Sequence, residues 1–116
     1  MPCLKILTNL PRDKIPSNFV NNIIPILSKF VNKPPEVFTC VVASDCAISF
    51  GGQSTSPGAV ATLESIGNLG LNENKTIAKG VSAFVEQELG IPQNRFFLSF
   101  YDIRAQDVAI GGVTMA

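Results

Sequence analysis

Apolar and polar positions along the chain fall into two stretches built on the same plan. Leu4, Ile6 and Leu7 mark a first strand from Pro2 to Thr8, followed by a loop, Asn9 to Pro16, that contains two prolines. Phe19, Val20, Ile23, Ile24, Leu27, Phe30 and Val31 then recur at the spacing of one apolar helix face. Ser17 is the expected N-cap of this helix. Pro25 is expected to kink it, because proline removes one hydrogen bond and crowds the carbonyl four residues back, that of Asn21. The helix ends near Asn32, before Lys33-Pro34-Pro35. Phe38 to Val42 reads as a second strand and Ala47 to Phe50 as a short third. Gly51-Gly52 and Thr55-Ser56-Pro57-Gly58 carry turn chemistry.

The pattern then starts again. Ala59 to Ile66 is a strand. Asn72 is expected to cap a helix that runs through Ile77, Val81, Phe84, Val85 and Leu89. Gly90 closes that helix, with Pro92 just beyond. Phe96 to Tyr101 is the last long strand, and Val108 to Met115 leaves room for one or two small strands around Gly111-Gly112. Laid over each other at an offset of 58, Pro34 meets Pro92, Phe38 meets Phe96, Leu4 meets Thr62 and Leu7 meets Ser65. Each half is a βαβ unit with the usual right-handed crossover. The expected fold is α/β (α+β): one domain, 1–116, with pseudo-repeats of about 1–58 and 59–116. Its four-stranded mixed sheet carries both helices on one face. Leu4, Ile6, Leu7, Cys40, Val41 and Val42 put apolar residues on both sides of the strands. One helical layer covers only one face, so a partner subunit is expected on the other.

Composition narrows the function. Nine basic and nine acidic residues cancel, which makes nucleic acid and anionic membrane poor partners. There is no histidine and no tryptophan, which removes His-based triads and most zinc sites. The three cysteines, Cys3, Cys40 and Cys46, include no CxxC pair, so reduced thiols are expected. No signal peptide and no membrane-inserted segment is expected.

One candidate for chemistry stands at the start. Removal of Met1 would leave Pro2 with a free secondary amine. A terminal amine titrates at roughly 7.7–8.0, and apolar surroundings lower that value further. Such a group is a general base on a rigid ring, and it needs no cofactor. The alternative is that Pro2 is only a trimmed end. Lys33, on the residues alone, reads as a cation complementing the C-terminal end of the first helix.

Met1-Pro2, Thr8-Asn9-Leu10-Pro11, Lys33-Pro34-Pro35, Phe50-Gly51-Gly52, Ser65-Ile66-Gly67 and Arg95…Phe100-Tyr101-Asp102 together resemble the macrophage migration inhibitory factor and D-dopachrome tautomerase family. The resemblance runs the whole length of the chain, with about one residue inserted in the Gln53–Gly58 turn. It implies a tautomerase fold and a homotrimer whose sheets wrap a central channel. It implies keto–enol tautomerisation of small aromatic keto acids of the phenylpyruvate or dopachrome type, without a cofactor or metal. It also implies a cytokine-like role, a cell-surface receptor as partner, and a protein both cytoplasmic and secreted without a signal peptide.

Residue by residue, the resemblance makes Pro2 the catalytic base and Lys33 the substrate-binding cation, with Ile66 lining the pocket between Ser65 and Gly67. Phe97 and Ser99 fall where the vertebrate cytokine has a pocket tyrosine and asparagine. Ile110 falls on its late tryptophan, Met115 on a phenylalanine, and Val37 on a tyrosine. The expected pocket is therefore apolar and lacks the phenol, and a lost donor weakens the orientation of substrate. The cytokine's dithiol falls on Gly58 and Ala61, so a thiol oxidoreductase activity is not expected. Arg12 and Asp45 match charges of a receptor-binding reading and are equally explained as solvated loop charges.

Overall fold

The computed structural model describes residues 1–116. Strand β1 spans Cys3–Thr8, helix α1 Phe19–Val31, β2 Thr39–Ala43, β3 Ala59–Ser65, α2 Leu71–Leu89 and β4 Phe96–Asp102. A small hairpin follows, β5 Ala109–Ile110 and β6 Val113–Thr114. The main sheet has the order β2-β1-β3-β4. The β1–β2 and β3–β4 pairs are parallel, and β1–β3 is antiparallel. This is the expected pair of βαβ units joined back to back.

Both helices seal the same face with the same spacing. Phe19, Ile23, Leu27 and Val31 of α1 and Ile77, Val81, Val85 and Leu89 of α2 are buried at every fourth position, the ridge that faces a neighbour in an α-helix. They cover Leu4, Ile6, Ala59, Ala61, Leu63 and Phe96 on the sheet. Burying each of the larger side chains contributes about 1.5–3 kcal/mol. The helices also touch each other: the Phe19 and Phe84 rings lie 6.0 Å apart, and Gly80 admits the Phe30 ring, which a Cβ there would overlap.

Several expectations change in detail. Helix α1 starts after Asn18 rather than Ser17 and runs through Pro25 without a break. Pro25 and Asn21 are both exposed, so water can take the carbonyl that proline leaves unpaired. Helix α2 starts after Gly70, not Asn72. Its first turn is closed by Asn74, whose Oδ1 accepts the Gly70 N–H at 3.1 Å. Ala47 to Phe50 forms no strand, because no strand within the chain lies beside it; only an isolated bridge joins Phe50 to Gln53.

The second sheet face is also less apolar than expected. Across β2, β1, β3 and β4 its rungs read Thr39–Cys3–Glu64–Tyr101, Val41–Lys5–Thr62–Ser99 and Ala43–Leu7–Val60–Phe97. Only the last rung is apolar throughout. Lys5 and Glu64 pair across this face at 3.6 Å.

Candidate active site

Three segments converge at one end of the sheet. Pro2 enters β1 there, buried, with its carbonyl accepting the Thr39 N–H of β2 at 3.0 Å. Because β1 and β3 are antiparallel, with Cys3 opposite Glu64, the terminus runs alongside Ser65 and Ile66 at the exit of β3. The third segment is the end of α1, where Asn32 takes the left-handed conformation (φ 60°) and stops the helix. Lys33 follows, and its Nζ donates to the Ile66 carbonyl at 2.6 Å.

Electrostatics at this end favour an uncharged amine. The terminal amine, here that of Met1, is held below its ordinary value of 8.0, first by burial and second by the Lys33 ammonium. Pro2 lies one residue deeper and is buried.

The Ser65–Asn68 turn is itself well anchored. Ser65, fully buried, donates its hydroxyl to the Gly67 carbonyl at 2.8 Å. Asp102 Oδ1 accepts the Gly67 N–H at 3.0 Å. Asn68 stands in the left-handed region (φ 62°), and its Nδ2 donates to the Val31 and Asn32 carbonyls, each at 3.0 Å. The sequence reading missed Asn68. The signal was a Gly-Asn pair after a strand, which is turn chemistry.

Phe97 and Ser99 are not brought to Pro2 within one chain. Phe97 pairs with Val60, which pairs with Leu7, at the far end of β1 from Pro2. At about 3.3 Å per residue that is roughly 16 Å along the strand. Ser99 lies level with Lys5, midway. Both point from the open face of the sheet, and Phe97 is 57% exposed. Ile110 and Met115 belong to the terminal hairpin. That segment leaves the sheet beside Ser65, whose carbonyl accepts the Ile103 N–H at 3.0 Å. Positive φ at Gly111 and Gly112 (61° and 80°) makes its tight turn. Ile110 is exposed, and the Met115 N–H closes the hairpin on the Val108 carbonyl at 2.9 Å.

Two clefts lie elsewhere. One, of about 560 Å³, is lined by Arg12, Ile15, Val20 and Val42 among others. The other, of about 500 Å³, is lined by Leu10, Lys14, Pro57 and Leu89 among others. Neither includes Pro2, Lys33 or Ile66.

The whole of this chain, residues 1–116, matches the family model described as Macrophage migration inhibitory factor (MIF). The chain belongs to the macrophage migration inhibitory factor family. It is 36% identical to the macrophage migration inhibitory factor of Xenopus laevis, over all of both chains. It is 36% identical to the homolog from Brugia malayi, over 98% of each. Among solved structures it is similar to the macrophage migration inhibitory factor of Trichinella spiralis, at a TM-score of 0.91 and 29% identity, covering 97% of this chain and 98% of that one. Family and fold therefore agree: this is a MIF-like protein of the tautomerase fold, and membership supports an isomerase-type activity in general.

Proposed function

We propose that this MIF-family chain is a cofactor-free keto–enol tautomerase of small aromatic α-keto acids, with the Pro2 amine as its base once Met1 is removed. The observation that carries this reading is the Lys33–Ile66 contact beside a terminal amine whose protonated form is disfavoured. In the proposed step the neutral Pro2 nitrogen takes a proton from the carbon next to the substrate's carbonyl. The C–H electron pair becomes the C=C bond, and the carbonyl oxygen takes the negative charge. The Pro2 ammonium then returns the proton to that oxygen, so the base is regenerated. Lys33 Nζ has donors left beyond Ile66 and binds the substrate carboxylate. Ile66, Ile110 and Met115 supply apolar wall.

The assembly we propose is a homotrimer. Strands β2 and β4 are bare edges, and open edges invite pairing between copies. A neighbouring copy would then supply Phe97 and Ser99, which in one chain lie far along the sheet from Pro2. Sedimentation should give three subunits at micromolar concentration; a folded monomer would sink this assembly.

Replacing Pro2 by Gly should cut phenylpyruvate tautomerisation by roughly 10²–10⁴, the share of a general base. A residue added before Pro2 should abolish it, because the amine becomes an amide. Full activity in folded Pro2→Gly protein would refute the mechanism. A second reading, a secreted cytokine-like ligand with weak catalysis, is favoured by Phe97 and Ile110, which offer no side-chain hydrogen bond to a substrate. On this reading Arg12 and Asp45, both exposed, belong to a receptor-binding surface. Receptor signalling that survives Pro2→Gly would support it.

A further inference from the structure

The position of Lys33 needs a physical cause. It follows directly on the end of α1, where unpaired carbonyls carry the negative end of the helix dipole. An ammonium in that place would ordinarily fold back onto them. Here the two carbonyls just before Lys33, those of Val31 and Asn32, are already engaged. The Ser28 carbonyl takes the Asn32 N–H at 3.0 Å. The Val31 and Asn32 carbonyls take the two bonds from Asn68 Nδ2, each at 3.0 Å. Lys33 Nζ goes across to Ile66 instead, two residues before Asn68 on the same turn. The left-handed φ of Asn68 turns its amide toward α1, a conformation that asparagine tolerates better than most residues. Asp102 grips the other side of the turn through the Gly67 N–H.

We propose that Asn68 is a positioning residue for Lys33. It occupies the Val31 and Asn32 carbonyls, which adjoin Lys33 and would compete for the ammonium, and it ties the turn bearing Ile66 to the end of α1. The ammonium is thereby kept beside Ile66 and the terminal amine. Asn68 touches neither substrate nor base. It sets the site's affinity for a substrate carboxylate by deciding where Lys33 points. This inference rests on the reading above in which Lys33 binds that carboxylate.

The test uses the mature full chain and four proteins: the unaltered chain, Asn68→Gly, Lys33→Ala and the double variant. Glycine accepts the left-handed φ, so backbone strain does not enter. Each protein is assayed for KM and kcat on phenylpyruvate, and its terminal amine is titrated by NMR without substrate. Asn68→Gly should raise KM roughly tenfold, the weight of one charge-assisted contact, with kcat nearly unchanged. It should also move the amine's pKa up toward that of the Lys33→Ala protein. In the Lys33→Ala background it should change neither quantity by more than about twofold, because coupled residues are not additive. An unmoved KM and amine in Asn68→Gly would overturn the proposal. So would an equal KM rise with Lys33 already gone, which marks a merely structural role. If no keto acid is turned over at all, the tautomerase reading fails, and the amine titration still decides whether Asn68 governs Lys33.

Discussion

The two ends of the sheet are built from the same parts and have different fates. The two halves are related by a pseudo-repeat. Cys3 of β1 equates to Val60 of β3, Thr39 of β2 to Phe97 of β4, and the helix end at Asn32 to that at Gly90. Both helix ends are left-handed, with φ of 60° and 68°. The residue after each then differs in kind: Lys33 at one end, Ile91 at the other. Ile91 is fully buried. The strand entries differ too. Pro2 enters β1 almost directly from the terminus. Its counterpart Ala59 follows a loop that is tied down on every side. Asn9 holds that loop through the Ser56 carbonyl and the Gly58 N–H. Arg95 donates to the Pro57 and Ser56 carbonyls at 2.9 and 2.8 Å and stacks on Phe50 at 4.8 Å. One end of the frame is sealed as core. The other keeps a terminus and a cation. Phe50 and Arg95 therefore carry part of the family likeness as structure rather than as site.

This contrast can be broken from either side. The largest effect should come from placing the cation where the core needs an apolar residue. Ile91→Lys should cost about 3–5 kcal/mol, the scale of an uncompensated buried charge. A denaturant midpoint near that of the unaltered protein would mean that the two ends are more alike than argued. The reverse change, Lys33→Ile, makes the site end resemble the sealed end. It should leave stability within about 1 kcal/mol and raise KM for phenylpyruvate roughly 10–100-fold, since it removes a charged contact. The smallest effect concerns the layer shared by both halves. Gly80→Ala gains about 0.8–1 kcal/mol in helix propensity but drives a methyl into the Phe30 ring. Overpacking costs typically 1–3 kcal/mol, so a net loss of about 1 kcal/mol is expected. A thermal melt reads the sign, and a stabilised variant would show that the ring yields freely.

How much of this was legible in the sequence depends on the kind of signal. The helices and their C-terminal ends were readable, because Asn32 and Gly90 are chain-reversing residues placed just where the apolar spacing stops. The repeat was readable too, but its strand register was off by one. The offset of 58 holds for β2 and β4, whereas Cys3 matches Val60, an offset of 57. A one-residue slip swaps the faces of a strand. Thr8 therefore equates to Ser65, and these two are the buried polar side chains of the core, each bonded to a nearby carbonyl.

The candidate site was legible in its residue types, Pro2, Lys33 and Ile66. The distance of Phe97 from Pro2 was not, because motif order along a chain does not fix the rung of the sheet on which a residue falls. Asn68 escaped notice for a similar reason. Its partners lie 36 and 37 residues away in sequence, at the end of another element.

The central claim is that the site end holds a neutral terminal amine beside Lys33. The most direct measurement is the pH–rate profile of the Met1-free protein on phenylpyruvate, with Lys33→Ala alongside. Only the neutral amine can take a proton, so the rate should rise with pH as the amine deprotonates. Burial and the Lys33 charge already lower the Met1 amine at this end, and Pro2 is itself buried, so the rising limb of the Pro2 amine is expected below 8.0. Removing Lys33 deletes the lesser of the two causes and should move the limb upward, though not beyond the ordinary value. A limb at or above 8.0 in the unaltered protein, or one that stays in place when Lys33 is removed, would contradict the account.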